Sequence, residues 1–154
     1  MLWQAPEVEL FALCAANGIS QIVWSPLAQG LLTGKYRLGE EPSADSRAAH
    51  GEMGAPMQLM LNDAFLGAVG RLRPVAEEAG LTMARLALAW VLRRHELAAA
   101  IVGASRPEQV AANATASGAE LSPETLQAVD DALGDAPIKE PMLAPFAQPG
   151  ITRR

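Results

Sequence analysis

Cysteine, histidine and clustered positive charge are scarce in this chain, and each scarcity excludes something. There is one cysteine, Cys14, in 154 residues, so no internal disulfide can form and the usage suits a reducing compartment. Cys14 sits between Leu13 and Ala15 and reads as a small buried hydrophobe. The two histidines, His50 and His95, lie far apart with no further ligand set beside either, so no metal site is expected. Lysine and arginine total 12 against 17 carboxylates, a net charge of −5. Apart from Arg93-Arg94 and Arg153-Arg154 the cations are scattered singly. Nucleic acid and anionic membranes call for a basic patch, so neither is expected as a partner. No apolar run is long enough to span a bilayer. The opening residues MLWQAPEVEL carry Glu7 and Glu9 and no basic group; they do not read as a secretory signal, and a cytoplasmic location is expected.

What is present can build a core. Half of the residues are apolar and 19% are charged, which is the composition of a globular domain. Residues 6–18, PEVELFALCAANG, read as a helix, with Pro6 in the first turn, two early glutamates and Gly18 as the stop. Val8, Phe11, Leu13 and Ala15 would form its apolar side. QIVWS (21–25) is short, β-branched and aromatic, and reads as a buried strand ended by Pro26. Residues 26–61 read as a long glycine- and proline-bearing loop.

Residues 62–80 are helical by period, with Phe65, Val69, Leu72, Ala76 and Ala79 on one face and Gly80 as the stop. Pro74 is expected to kink or split that helix. Thr82 caps a second helix over 83–94, apolar nearly all round and hence deeply packed. AAAIVG (98–103) reads as a second strand. Helices follow at about 106–117 and at 123–133, the latter with Ser122 as cap, Pro123 in the first turn and Gly134 as stop. Short apolar strands that each lead to a helix are the pattern of a parallel α/β fold. Two strands alone make no viable parallel sheet for a chain of this length, so further strands are expected beside them.

In parallel α/β folds, ligands gather where strands end. After the first strand comes WSPLAQGLLTGKY (24–36). Trp24 offers a flat face to a conjugated ring. Ser25, the main chain around Leu27 and Ala28, and Gln29 offer donors to an anionic bridge, and Lys35 offers a mobile cation. A core tryptophan followed by a tight turn would account for the same residues. After the second strand comes IVGASRPEQVAAN (101–113). Ser105 and Glu108 have the spacing of a capping box, with Pro107 in the first turn. Capping leaves Gly103, Arg106, Gln109 and Asn113 unexplained. A helix N-terminus carries free amides and about half a positive charge, which suits a phosphate. Arg106 would add a planar cation, and Gln109 and Asn113 could read an adenine or ribose edge.

Taken together, the two motifs resemble the aldo-keto reductase family. The likeness is to the subgroup with the potassium-channel β subunits and many bacterial oxidoreductases. It runs from PEVELFALCAANGISQIVWSPLAQGLLTGKY through LTMARLALAWVL and IVGASRPEQVAAN to SPETLQAVDDAL. The resemblance implies an α/β fold, a partial (β/α)8 TIM barrel. This chain would supply the carboxyl-terminal part: about two barrel strands, the seventh and eighth, and mostly helices. Residues 1–134 would form that part, and 135–154 a proline-rich extended tail.

The cofactor implied is NADP(H), bound without a Rossmann domain. By resemblance Trp24 stacks on the nicotinamide, and Ser25, Pro26, Leu27, Ala28 and Gln29 line the pyrophosphate. Lys35 and Arg47 are loop cations near the cofactor. Gly103, Ser105, Arg106, Gln109 and Asn113 meet the adenosine 2′-phosphate and adenine. Relatives often carry glutamate where this chain has Ala112. The family reduces aldehydes and ketones with a tyrosine acid tuned by aspartate, lysine and histidine, all in the amino-terminal half of the barrel. Lys35 and Tyr36 adjoin in the cofactor loop and are not that pair; neighbours on an extended segment point opposite ways. Met1 resembles an internal methionine of the family. The chain is therefore expected to bind NADP(H) without catalysing reduction alone, to need an amino-terminal half or to self-associate. The alternative is a non-catalytic nucleotide-binding or regulatory fragment.

Overall fold

Parallel pairing of two short strands organises the chain. In the computed structural model, which describes residues 1–44, 46–49 and 60–140, β1 (Gln21–Trp24) lies beside β2 (Leu97–Ile101). Ile22 is opposite Ala99, Val23 opposite Ala100 and Trp24 opposite Ile101, with an irregularity between Gln21 and Ile22. Two helices precede β1: α1 (Ala5–Val8) and α2 (Leu10–Ala16). Between the strands run α3 (Asp63–Glu78) and α4 (Met83–Leu92). After β2 come α5 (Pro107–Ala114) and α6 (Pro123–Leu133).

Side chains alternate across a strand, and here the two faces fare differently. Val23 and Ala100 pack on the helical core. Ile22, Trp24 and Ile101 stand on the other face with 61%, 67% and 62% of their surface exposed. β1 is thus not the buried strand its composition suggests. Nothing among the described residues covers its second face, so β-branched and aromatic content overstates burial.

The core lies between the helices. Along α4, Met83, Leu86, Ala87, Leu88, Ala89, Trp90 and Val91 are all buried, as its uniformly apolar sequence requires. α3 turns Ala68, Val69, Leu72 and Ala76 inward and packs along α6, where Arg71 Nε donates to Ala132 O at 2.8 Å. Thr82 accepts from Arg85 N–H and Ser122 from Thr125 N–H, as their places before α4 and α6 predict. α3 has a cap the sequence did not single out, Asn62, which accepts from Phe65 N–H at 2.9 Å. α3 runs through Pro74 as one element.

The first helix differs from expectation. It divides at Glu9, whose φ of −142° breaks the helical path between α1 and α2. Only Phe11 is buried in α2, whereas Val8, Leu10 and Leu13 are 69%, 45% and 58% exposed. The anticipated single apolar side is split, and ionic contacts hold the segment instead. Glu7 accepts from Arg93 at 2.7 Å, Arg94 lies 3.7 Å from Glu7, and Arg94 reaches Glu96 at 2.8 Å. Burial lowers the Arg93 pKa, and Glu7 opposes that shift. Beyond Gly134 the chain returns to the start: Ile138 N–H donates to Leu2 O at 2.8 Å and Ile138 O accepts from Gln4 and Ala5.

Candidate functional site

Because β1 and β2 are parallel and Trp24 is paired with Ile101, the two motifs leave the same edge of the sheet. Adjacent strands are about 4.8 Å apart, so residues 25–30 and 102–109 start as neighbours. α4 packs against both the turns over Ala28–Thr33 and α5. One helix therefore supports both strand ends.

The first strand end is a wound, strained turn. Ser25, Ala28 and Gln29 have φ of 51°, 48° and 58°. Such left-handed conformations cost L-residues about 1–2 kcal/mol each, and they persist only where the surroundings fix them. Here Ala28 N–H donates to Ser25 O and Gly30 N–H to Leu27 O, both at 2.9 Å. Gln29 Nε2 donates to Ser25 Oγ at 2.8 Å and closes the turn with side chains. Thr33 Oγ1 donates to Gly30 O at 2.7 Å. Pro26 and Ala28 are buried, and Leu31 and Leu32 are among the most enclosed residues of the core. The beginning of the supposed 26–61 loop is thus anchored, with successive 3-10 turns. Glycine and proline spacing conceals this, because the two leucines that fix the turn follow it.

Gly30 is required twice. Its φ is 101°, and a Cβ there would stand 3.0 Å from Lys35 Cε and 3.3 Å from Lys35 Nζ. The chain curls so that Lys35 lies over the turn. Arg73, in α3, donates to Gly34 O at 3.0 Å and ties the same loop to the core. No sequence signal marks Arg73, since the contact joins residues 39 apart. Arg47 falls in a 3-10 turn (Arg47–Ala49), but its side chain lies outside the described residues.

The second strand end is open. Gly103, Ser105 and Arg106 are exposed, and Gln109 and Asn113 are half-buried. The expected capping box is not formed: Arg106 is the N-cap of α5 and no side chain caps the helix. Instead Gln109 Oε1 accepts from Ser105 N–H at 2.8 Å and lies 3.1 Å from Ser105 Oγ. Four-residue spacing puts Gln109 above Ser105, and its longer side chain reaches the amide first. Gly103 lacks a positive φ, and nothing lies within 4 Å of its Cβ position. Packing within the chain does not account for that glycine.

Trp24 completes the edge. It projects from the open face of β1, 67% exposed, at the residue before the strained turn. It is not the core tryptophan that one reading of the motif allows. Tyr36, by contrast, is 5% exposed, and its hydroxyl has no hydrogen-bond partner among the described residues. Lys35 is exposed and Tyr36 buried, but the Lys35 side chain turns back so that its ammonium lies 5.0 Å from the centre of the Tyr36 ring. A hollow of about 410 Å³ is lined by Glu41, Pro42, Ala48, Ala49 and Leu61. No group of metal-binding side chains occurs among the described residues, and none of their helices is long and apolar enough to cross a membrane.

The adjoining ends of a short parallel α/β sheet thus carry a strained turn and an open helix mouth at one edge. Residues 1–133 match the aldo/keto reductase family, and the chain belongs to it. It is 41% identical over 107 residues, 70% of its length, to a probable voltage-gated potassium channel subunit beta of Arabidopsis thaliana, covering 32% of that protein. It is 33% identical over 135 residues to a putative subunit of the same kind from Schizosaccharomyces pombe, 86% of this chain and 39% of that one. It is 35% identical over 120 residues to an L-glyceraldehyde 3-phosphate reductase of Escherichia coli O157:H7, 77% of this chain and 35% of the enzyme. The chain spans about a third of the length of the curated relatives it matches.

Proposed function

We propose that this chain binds NADP(H) across the carboxyl ends of β1 and β2, as the cofactor-binding portion of an aldo-keto reductase barrel. The observation that carries the reading is the parallel pairing of Trp24 with Ile101, which starts both polar motifs from one edge. The residues present fit such a ligand. Trp24 offers an exposed ring to the nicotinamide. The turn Ser25-Pro26-Leu27-Ala28-Gln29, already held in its strained form, is read as lining the pyrophosphate; the Ser25 hydroxyl, which accepts from Gln29, keeps its own proton to donate, and Lys35 adds charge beside Gly30. Arg47 is assigned to the same loop. Ser105 and Arg106, at the mouth of α5, take the 2′-phosphate. Gly103 leaves room for close approach, and Gln109 and Asn113 meet the adenosine. Ala112 gives no polar contact where relatives often have glutamate.

Bound NADP(H) would supply the hydride that reduces an aldehyde or ketone. Within these residues, Trp24 and the turn orient that ligand and Arg106 selects the phosphorylated form. The general acid is assigned to a segment outside this chain. Tyr36, the sole tyrosine, is 5% exposed and is read as a core residue of the cofactor loop rather than as that acid. Residues 1–134 are read as the barrel portion; of the tail assigned to 135–154, the part at Ile138 turns back onto Leu2, Gln4 and Ala5, and 141–154 lie outside the described residues. The open face of β1 and β2 is read as barrel interior, to be covered by the remaining strands. A cytoplasmic location accords with the reading.

The test is a fluorescence titration of the 154-residue chain with NADPH and NADH. Saturable binding is expected, and Arg106→Ala should weaken NADPH about tenfold, the worth of one charge-assisted contact, with less effect on NADH. Equal losses would remove Arg106 from the phosphate site. Carbonyl reduction by the chain alone should be negligible. Saturable NADPH oxidation with an aldehyde would show instead that the chain is catalytically complete.

A further inference from the structure

Lys35 is exposed, yet its position is defined. A Cβ on Gly30 would meet Lys35 Cε at 3.0 Å and Nζ at 3.3 Å, and Tyr36 Cε2 at 3.9 Å. The ammonium also stands 5.0 Å from the centre of the Tyr36 ring. Tyr36 itself is 5% exposed, belongs to the core, and has no partner for its hydroxyl among the described residues. A buried phenol normally secures a hydrogen bond. Here the ring serves as a surface, and the hydroxyl has no discernible task.

We propose that Tyr36 is a positioning residue: its ring, with the gap left by Gly30, holds the Lys35 ammonium over the Ser25–Gln29 turn. The attraction is that of a cation for the face of an aromatic ring. A lysine side chain is otherwise a flexible four-carbon stem that loses much rotamer freedom when a ligand fixes it. A lysine already held in place loses less on binding, so the turn and its cation form one prepared anion site. The value of this arrangement to a pyrophosphate rests on the NADP(H) reading. The arrangement itself does not.

The sequence makes the test direct, because the lysines are Lys35 and Lys139 alone. Reductive 13C-methylation therefore gives two lysine methyl signals by NMR, besides that of the terminal amine. The Lys35 signal should lie upfield of Lys139 through the ring current of Tyr36. It should keep that position in Tyr36→Phe and lose it in Tyr36→Leu. Should Tyr36→Leu fail to fold, Tyr36→Met provides the second comparison, since it keeps a long apolar side chain in the core while removing the ring beside Lys35. A Lys35 signal that coincides with Lys139 in the unaltered chain, or that stays put in the variants without the ring, overturns the proposal.

In the unmethylated chain, Tyr36→Leu and Lys35→Met should each weaken NADPH about threefold, the size of a partly exposed cation–ring contact. The double variant should be no weaker than either alone. Additive losses overturn the coupling. Absence of NADPH binding in the unaltered chain, with the NMR pattern as expected, defeats the NADP(H) reading and leaves the positioning role standing.

Discussion

The two strand ends sit side by side and are built in opposite ways. After β1 the chain enters a turn with three non-glycine residues in left-handed conformations, clasped by Gln29 on Ser25 and seated on Leu31 and Leu32. After β2 it enters a stretch in which residues 101–108 are all exposed, and the one side-chain clasp is Gln109 on Ser105. Hydrophobic burial fixes the first shape, and a local hydrogen bond fixes the second. A site made of both has a rigid wall prepared in advance and an adaptable wall that a ligand can reorganise. Strain is affordable only on the first, where the core holds it.

The largest expected effect breaks the rigid wall. Leu32→Ala should destabilise the chain by about 2–5 kcal/mol, the cost of a buried leucine and its cavity, read by urea unfolding. Val110→Ala, in α5 and 60% exposed, should stay within about 0.5 kcal/mol. Comparable losses would mean that the second wall is as built-in as the first.

Next comes the open face they share. Ile22, Trp24 and Ile101 form an exposed apolar strip of the kind that drives association. The isolated chain should self-associate, and Ile101→Glu should weaken that association about tenfold or more by sedimentation velocity, because a carboxylate resists desolvation. A compact monomer before substitution would show that the strip needs no cover.

Smaller still is the contrast between clasps. Gln29→Ala should cost about 1 kcal/mol of stability, that of a partly buried hydrogen bond. Gln109→Ala should be near neutral, because solvent can replace an exposed acceptor. Thermal melts of the pair decide it.

The smallest effect concerns the ionic ties behind β2. The hydrogen bond from Arg94 holds the Glu96 carboxylate below its ordinary value of 4.5. A carboxylate with a lowered folded pKa stabilises the fold above its unfolded pKa, and that contribution is lost as pH falls through the folded one. Acid unfolding below about pH 4.5 should therefore be shallower in Glu96→Gln. An unchanged acid limb would show that the pair contributes nothing.

Elements whose signal is local could be read from the sequence. Thr82, Ser122, Gly80 and Gly134 mark their helix ends because caps and stops depend on a few adjoining residues. The period along α3 named the buried Val69, Leu72 and Ala76 correctly. What escaped depends on distant partners. The exposure of Ile22 and Trp24 follows from what faces the sheet, and their own side chains carry no sign of it. Ser105 was assigned to a capping box because Glu108 has the right spacing, yet Gln109 takes the amide. The strained turn was hidden in a glycine-rich stretch because Leu31, Leu32 and Arg73 hold it, and Arg73 lies in another helix. The candidate site residues are named by resemblance. Their adjacency needed the parallel register of β1 and β2.

The central claim, that both strand ends serve one ligand, is tested most directly by backbone NMR of the 15N-labelled chain titrated with NADPH. The account predicts that amides in 24–30 and in 103–113 shift together, with a single dissociation constant. Shifts confined to one of the two segments, or two different dissociation constants, would contradict it.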